Sequence, residues 1–258
     1  MTQERILSIA LAQSAMDCGC TPEDFLRREN VVVTSLPHPR ARRYLKLPFL
    51  CDLVSYGTNI VASVSGPYEA AVRDYLERYG AHIEDCFETP KLHVLQQAVA
   101  PLGAGVCFMA EYWLPDLGRL APLPCPLEMR LLTQADFAPL YLPQWSNALC
   151  EKHRELDVLG VGAYDGDTLV GLAGCSADCE EMWQIGVDEL PGYRRRGIAS
   201  ALTAALALEV LKRGRVPFYC CAWSNVKSAR NAIRSGFAPA WVEVTVKPEA
   251  DIQKMCRT

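Results

Sequence analysis

The stretch Tyr193–Leu202, YRRRGIASAL, runs three arginines into a glycine and then into an apolar segment. The preceding residues 180–187, EEMWQIGV, are typical of a strand, and residues 198–213, closed by Gly214, are typical of a buried helix. The first amides of a helix that follows a strand directly have no intrahelical partner. Those amides and the helix dipole favour an anion, most often a phosphate. The stretch therefore predicts a site for a phosphate-bearing ligand at the start of a helix.

The residues of the turn itself suit a phosphate. Gly197 lets the backbone approach the anion closely, and the small side chains of Ala199 and Ser200 leave the next turn open. The guanidinium groups of residues 194–196 add charge that a polyanionic ligand can use, although a solvated run of charges is the alternative. The sequence contains neither GxxxxGK(S/T) nor GxGxxG. A nucleotide-hydrolysing P-loop is therefore excluded, and a Rossmann dinucleotide site is unsupported.

The composition limits the classes of partner. The chain has 258 residues, half of them apolar, a net charge of −4 and a pI of about 5.7. Because a general nucleic-acid binder needs a basic face, we expect no nucleic-acid partner. The apolar run near the N-terminus carries charges close by on both sides and is typical of an amphipathic helix, and no other window approaches membrane length. We expect no membrane partner and a cytoplasmic location, and a homo-oligomer is compatible with the sequence.

The twelve cysteines and four histidines do not form a metal-binding pattern. The sequence has no pair of CxxC knuckles, and the histidines are not spaced as a zinc set. A chain with this much core has no need of a disulfide framework, so reduced thiols are the simplest interpretation. We expect no metal.

A proline-rich segment, residues 114–126 (LPDLGRLAPLPCP), is the best candidate for a linker. It predicts a smaller N-terminal α/β domain over residues 1–125, of unknown role, and a second domain over residues 126–258. In the second domain the patterns predict a strand, helical segments beginning at Thr133, three strands, a helix, a strand, a helix and a strand. The predicted fold class is therefore mixed α/β (α+β with a mixed sheet).

The turn and its neighbourhood resemble a known family. Arg194-x-x-Gly197-x-Ala199 resembles the pyrophosphate-binding signature Q/R-x-x-G-x-G/A of the GNAT superfamily of N-acetyltransferases. The flanking residues are also similar to that family, over residues 127–247: Val187, Pro191, Tyr193, Asn225, Gly236 and Phe237. Within the superfamily, the segments WQIGVDELP and AWSN and the added N-terminal half resemble the zwittermicin-resistance type.

The resemblance implies a fold in which two neighbouring parallel strands splay apart around acetyl-CoA, the acetyl-donor cosubstrate. Here those strands are EEMWQIGV and VPFYCCAW. It implies main-chain contacts with the pantetheine arm and amides around the pyrophosphate, while Asn225 is equally well explained as a helix N-cap. The cofactor-binding residues implied are Ile185, Val187, Arg194, Arg195, Arg196, Gly197, Ile198, Ala199, Ser200, Asn225 and Ser228.

Acetyl transfer to an amine needs a base, because only the neutral amine attacks a thioester. By resemblance Glu181 occupies the position of the catalytic glutamate, with Glu180 beside it on the opposite face of the strand. The alternative is that both are solvated residues at the start of a strand. The family's general acid, a tyrosine seven residues after the asparagine, is replaced by Ala232. Tyr219, which is equally typical of a core aromatic, is the catalytic candidate for this role.

Other acids and other functions remain open at this stage. Ser224 or a water molecule would also serve as the acid, or the thiolate would leave unassisted. The resemblance implies an N-acetyltransferase that moves an acetyl group to a primary amine of a small molecule by direct attack in a ternary complex. The alternatives are a regulatory acyl-CoA-binding protein without turnover, an acetyltransferase of protein lysines or N-termini, and a covalent route through Cys220 or Cys221. The N-terminal domain would help to shape the acceptor site.

Overall fold

The computed structural model describes residues 1–257, in which ten β-strands and six α-helices are found. This confirms the predicted mixed α/β fold class. The helices are α1 Gln3–Cys18, α2 Gly66–Tyr79, α3 Thr89–Val99, α4 Ile198–Lys212, α5 Val226–Arg234 and α6 Glu249–Met255. The strands are β1 Val31–Thr34, β2 Cys51–Ser55, β3 Val61–Val64, β4 Ala104–Pro115, β5 Glu128–Thr133, β6 Asp157–Asp165, β7 Thr168–Ser176, β8 Met182–Glu189, β9 Val216–Ala222 and β10 Phe237–Pro248.

The chain divides into two compact units, each built from two segments. The C-terminal unit comprises Met1–Ile9 and Trp113–Pro239, and the N-terminal unit comprises Ala10–Tyr112 and residues 240–257. These units do not coincide with the ranges 1–125 and 126–258 that a single linker predicts.

Hydrogen bonds explain the difference from a single boundary. The side chain of Gln3 donates to the Pro115 carbonyl and accepts from the Leu117 amide, both at 3.0 Å, which ties the first turn of α1 to the C-terminal unit. At the other end of the chain, residues 242–246 of β10 pair antiparallel with residues 51–55 of β2 in the N-terminal unit. Pairing of distant segments, rather than the prolines, therefore sets where each unit ends.

In the C-terminal unit the strands run in the order β9-β8-β7-β6-β5. All neighbours are antiparallel except β8 and β9, which are parallel. A hairpin with an Asp165-Gly166 turn joins β6 to β7, as the Asp165–Thr168 pair shows. Helix α4 packs on β6, β7 and β8 with Ile198, Leu202 and Leu206 fully buried, so its N-terminus is held at the end of β8 by a continuous core.

The segment between β5 and β6 corrects one expectation. Instead of a regular helix after Thr133, it contains short 3-10 turns at Gln134–Asp136, Ala138–Leu140, Pro143–Trp145 and Glu151–His153. Thr133 does form a capping box with Asp136, but the helix does not continue. Pro139 and Pro143 have no amide to donate, so they interrupt any helix here.

The N-terminal unit has its own core and sheet. Strand β1 pairs parallel with β3, β3 pairs antiparallel with β2, and α2 and α3 supply buried apolar residues. A buried ion cluster also lies within this unit: the guanidinium of Arg42 contacts the carboxylate of Asp17 and lies 2.8 Å from that of Glu243. All three side chains are almost wholly buried, so the charges are compensated inside the fold.

Within residues 1–257, no helix combines the length and the apolar character needed to cross a membrane.

Candidate active site

The two parallel strands of the C-terminal unit separate partway along their length. Residues 182–185 of β8 pair with residues 216–219 of β9, and Ile185 opposite Tyr219 is the last pair. Strand β8 nevertheless continues to Glu189 and β9 to Ala222. On its other side β8 stays paired with β7, where Val187 lies opposite Ala173. The edge of β8 that faces β9 is therefore open after Ile185, and the main chain around Val187 is free to pair with an extended ligand.

A loop is held tightly against β8 at this point. Gly186 lies so close to the loop that a Cβ atom there would be 1.8 Å from the Asn147 carbonyl oxygen. The Asp188 carboxylate accepts from the Asn147 and Ala148 amides at 2.8 and 3.0 Å. It also accepts from the Asn147 side chain at 2.6 Å. The absence of a side chain at Gly186 allows the loop to lie directly against β8. Three charge-assisted hydrogen bonds to the Asp188 carboxylate hold it there.

The turn between β8 and α4 has the backbone of an anion site. Gly197, the N-cap of α4, is left-handed with φ 82°, and Arg195 is also left-handed with φ 66°. Successive amides in such a turn can form a concave surface that binds an anion. Among residues 1–257, no acceptor is bonded to the amides of Arg196, Gly197 or Ile198. A Cβ atom at Gly197 would meet nothing within 4 Å, so the space beside the turn is open.

One amide of the turn already has a partner. The Ala199 amide donates to Oε1 of Glu189 at 2.7 Å. Burial raises the pKa of Glu189, while the Ala199 amide and Arg194 act in the opposite direction. The sequence alone does not predict this contact, because a glutamate is also typical of a solvated strand end.

The three arginines are held differently. The Arg194 Nε donates weakly to the Glu189 carbonyl at 3.4 Å. The Arg196 guanidinium lies over the ring of Tyr193 at 5.1 Å, and the Tyr193 hydroxyl donates to Asp165 at 2.8 Å. For Arg195, no ion pair or side-chain hydrogen bond is found within the part of the chain that the structure describes. All three arginines are exposed, so their charge is available to a ligand.

The side chains of the implied cofactor residues have structural partners. Ile185 and Ile198 are buried core residues, so only their main chains are available. The Ser200 hydroxyl donates to the Asn231 side chain at 3.0 Å, which links α4 to α5. Asn225 accepts from the Ser228 amide at 3.2 Å, which confirms its interpretation as the N-cap of α5.

The candidate acid, Tyr219, is bonded to the same helix. Its hydroxyl lies 2.8 Å from that of Ser228, and either group can be the donor. Burial raises the pKa of the Tyr219 phenol, so the hydroxyl keeps its proton at neutral pH. Ala232, at the position where the resemblance described above would place a tyrosine, is fully buried in the core. Tyr219 is thus the phenol that this core places at the last paired position of β9.

The candidate base lies at the other end of the paired region. Glu181 immediately precedes β8, and its carbonyl accepts from the Val216 amide at 2.8 Å. Its carboxylate is partly exposed and lies 3.4 Å from the guanidinium of Arg5. Glu181 lies four positions before Ile185, which is roughly 13 Å along a strand. Glu181 therefore does not line the opening itself, and any proton exchange with it would pass through water.

Neither a metal centre nor a catalytic thiol stands out. No group of three or more histidine, cysteine, aspartate or glutamate side chains in residues 1–257 is arranged to hold a metal ion. None of the twelve cysteines, all of which lie in this range, forms a disulfide, and Cys221 is buried.

One family model and several solved structures are similar to parts of the chain. Residues 120–240 match the family model of GNAT acetyltransferases. No curated protein matches the sequence. The chain is similar to solved structures of a GNAT-family protein from Novosphingobium aromaticivorans (20% identity, 56% of this chain and 66% of that chain, TM-score 0.42). It is also similar to a GCN5-related N-acetyltransferase-like protein from Streptococcus suis (24%, 59% and 69%, 0.44) and to a GNAT-family acetyltransferase from Colwellia psychrerythraea (14%, 74% and 77%, 0.45).

The first of these matches spans slightly less than two thirds of the solved chain. The signature Arg194-x-x-Gly197-x-Ala199 and the separating strands both fall inside the range that the family model matches. Residues 120–240, slightly less than half of the chain, are therefore similar to the GNAT acetyltransferase family.

Proposed function

We propose that this protein is an N-acetyltransferase that binds acetyl-CoA at the end of β8 and the start of α4, and transfers the acetyl group to a primary amine of a small molecule. The observation that carries the proposal is the separation of β8 and β9 after Ile185, shortly before a turn in which the amides of Arg196, Gly197 and Ile198 have no acceptor among residues 1–257. An open strand edge beside an anion site suits a ligand that joins an amide-bearing arm to a pyrophosphate.

The residues present fit that cosubstrate. The open edge of β8 around Val187 would pair with the pantetheine arm, and the amides of residues 196–200 would hold the pyrophosphate. Arg195, exposed and without an ionic partner in residues 1–257, would supply charge. When bound, acetyl-CoA supplies the activated acetyl thioester.

The protein's own contribution to the chemistry is proton transfer and positioning. Direct attack in a ternary complex requires a neutral amine, so one proton must leave the amine before the new bond forms. Glu181 is the candidate to accept that proton through water, because it is the partly exposed carboxylate at the start of the separating strand. Tyr219 is the candidate to protonate the departing thiolate, because its phenol lies at the last paired position of β9, where the two strands begin to separate.

A second function has one observation in its favour. Ala232 is fully buried where the family has its general acid, and the Tyr219 hydroxyl is already bonded to Ser228. A chain without an effective acid would bind acyl-CoA and release thiol slowly or not at all. That chain would be a regulatory acyl-CoA-binding protein.

Thiol release from acetyl-CoA in the presence of a panel of small-molecule amines separates the two functions. We expect at least one amine to increase the rate of thiol release well above the rate of hydrolysis without amine. Mass spectrometry should then find the acetylated amine. Saturable binding of acetyl-CoA without turnover for any amine would favour the regulatory function, and absence of binding would contradict both.

A further inference from the structure

The carboxylate of Glu189 occupies part of the site that the proposed function assigns to phosphate. Glu189 is the last residue of β8, and its Oε1 accepts from the Ala199 amide at 2.7 Å. Ala199 is in the first turn of α4, two residues after the N-cap Gly197. A carboxylate at this position stabilises the free helix, because it satisfies one orphan amide and interacts favourably with the helix dipole.

Glu189 is held in place from the strand rather than from the turn. Glu189 pairs with Gly171 of the neighbouring strand β7. Its side chain is half-buried, and this burial raises the pKa of the carboxyl group. The charged group that faces it is Arg194. The carboxylate therefore reaches the amide from a rigid element, and it is not a chance contact of a mobile surface side chain.

We propose that Glu189 is an internal anion that competes with the pyrophosphate of acyl-CoA for the start of α4, and so sets the affinity for the cosubstrate. This inference rests on the proposed function. One amide proton cannot serve both a carboxylate and a phosphate at full strength. When acyl-CoA binds, either Glu189 gives up the Ala199 amide, or it stays and repels the phosphates.

This competition predicts that Glu189 has opposite effects on the stability of the free protein and on its affinity for acyl-CoA. In the free protein the carboxylate contributes to stability, as an N-cap does. In the bound protein it lowers affinity. A residue with a merely structural role would lower both stability and affinity when it is replaced, so the pair of measurements identifies the competitor.

The test is calorimetric titration of the whole chain with acetyl-CoA, together with melting curves. Glu189→Gln keeps the size of the side chain and an oxygen that can accept from Ala199, so we expect it to fold. We expect its affinity to rise about tenfold, which corresponds to about 1.4 kcal/mol. Glu189→Ala, which also removes the acceptor, should raise affinity in the same direction while lowering the melting temperature.

Glu180→Gln is the matched control. Glu180 is exposed, lies just before the same strand, and makes the same change of charge, but it is at the far end from α4. Its affinity should change less than twofold. If wild-type protein binds acetyl-CoA and both Glu189 variants bind it equally well or more weakly, the inference is overturned. The proposed function is not affected by that result. Absence of binding by all four proteins would overturn the proposed function itself.

Discussion

Among individual residues, Glu181 is the one on which the proposed chemistry depends most. If its carboxylate accepts the amine proton through water, Glu181→Gln should lower turnover by ~10²–10⁴-fold and leave acetyl-CoA binding nearly unchanged. The loss should shrink as pH rises, because an amine that is already neutral needs no base. Steady-state rates between neutral and alkaline pH, with binding measured separately, test this prediction.

Controls for this variant come from its neighbours. Arg5→Gln removes the exposed ion pair with Glu181, which we expect to contribute only ~0–1 kcal/mol to stability, so folding is not the explanation for a lost rate. Glu180→Gln should keep its activity. If Glu181→Gln retains full activity and Glu180→Gln loses it, the base is Glu180 and not Glu181. If both retain activity, no acidic base acts at the start of β8.

The sequence predicts the role of a residue where that role depends on backbone geometry. Gly197 and Asn225 could be predicted because a left-handed turn and an N-cap each favour few residue types. The bond between Glu189 and Ala199 could not, since a glutamate is typical of any solvated strand end. The interaction is recognised only in the structure, where β8 places the Glu189 carboxylate beside the first turn of α4.

For the elements of the site, the contact between β8 and the loop of residues 145–149 is the feature most sensitive to a single atom. Gly186→Ala would place a Cβ 1.8 Å from the Asn147 carbonyl oxygen and 2.8 Å from its carbon. Because backbone is in the way, the loop or the strand must move, and we expect destabilisation of ~1–3 kcal/mol. Chemical denaturation of the variant measures this change in the free energy of unfolding.

Gly192→Ala is the comparison for that experiment. A Cβ at Gly192 would meet nothing within 4 Å, and its φ lies outside the left-handed range. We expect its free energy of unfolding to stay within about 0.5 kcal/mol of the wild-type value. Equal stability of the two variants would mean that the loop does not lie against β8 as described.

Elements with strong local signals were predictable, and elements defined by pairing were not. Helix α4 is apolar along most of its length and is soon followed by Gly214, and the β6–β7 hairpin carries an Asp-Gly turn, so both follow from the sequence. Strand β2 is short and wholly buried and has no alternating pattern, so the sequence does not predict it. Thr133 does form a capping box, but the prolines that follow prevent a regular helix. An N-cap signal alone is therefore not enough to predict a helix.

On the scale of the whole molecule, the division into two discontinuous units is the part that the sequence could not predict. It depends on partners far apart in the chain, such as β10 with β2 and Gln3 with Pro115. The buried cluster of Asp17, Arg42 and Glu243 has the same origin, because its members come from three separate segments. A composition shift or a proline-rich segment carries no information about such pairings.

The central claim for the whole chain is that the turn before α4 holds the phosphates of acetyl-CoA, and titration of three proteins tests it most directly. Wild-type protein should bind with one site per chain. Gly197→Gln and Gly197→Glu share the cost of a side chain at φ 82° but differ in charge. Gly197→Glu should bind at least ~100-fold more weakly than wild type, about 2.7 kcal/mol, and more weakly than Gly197→Gln. A folded Gly197→Glu protein that binds acetyl-CoA as tightly as wild type would contradict the account.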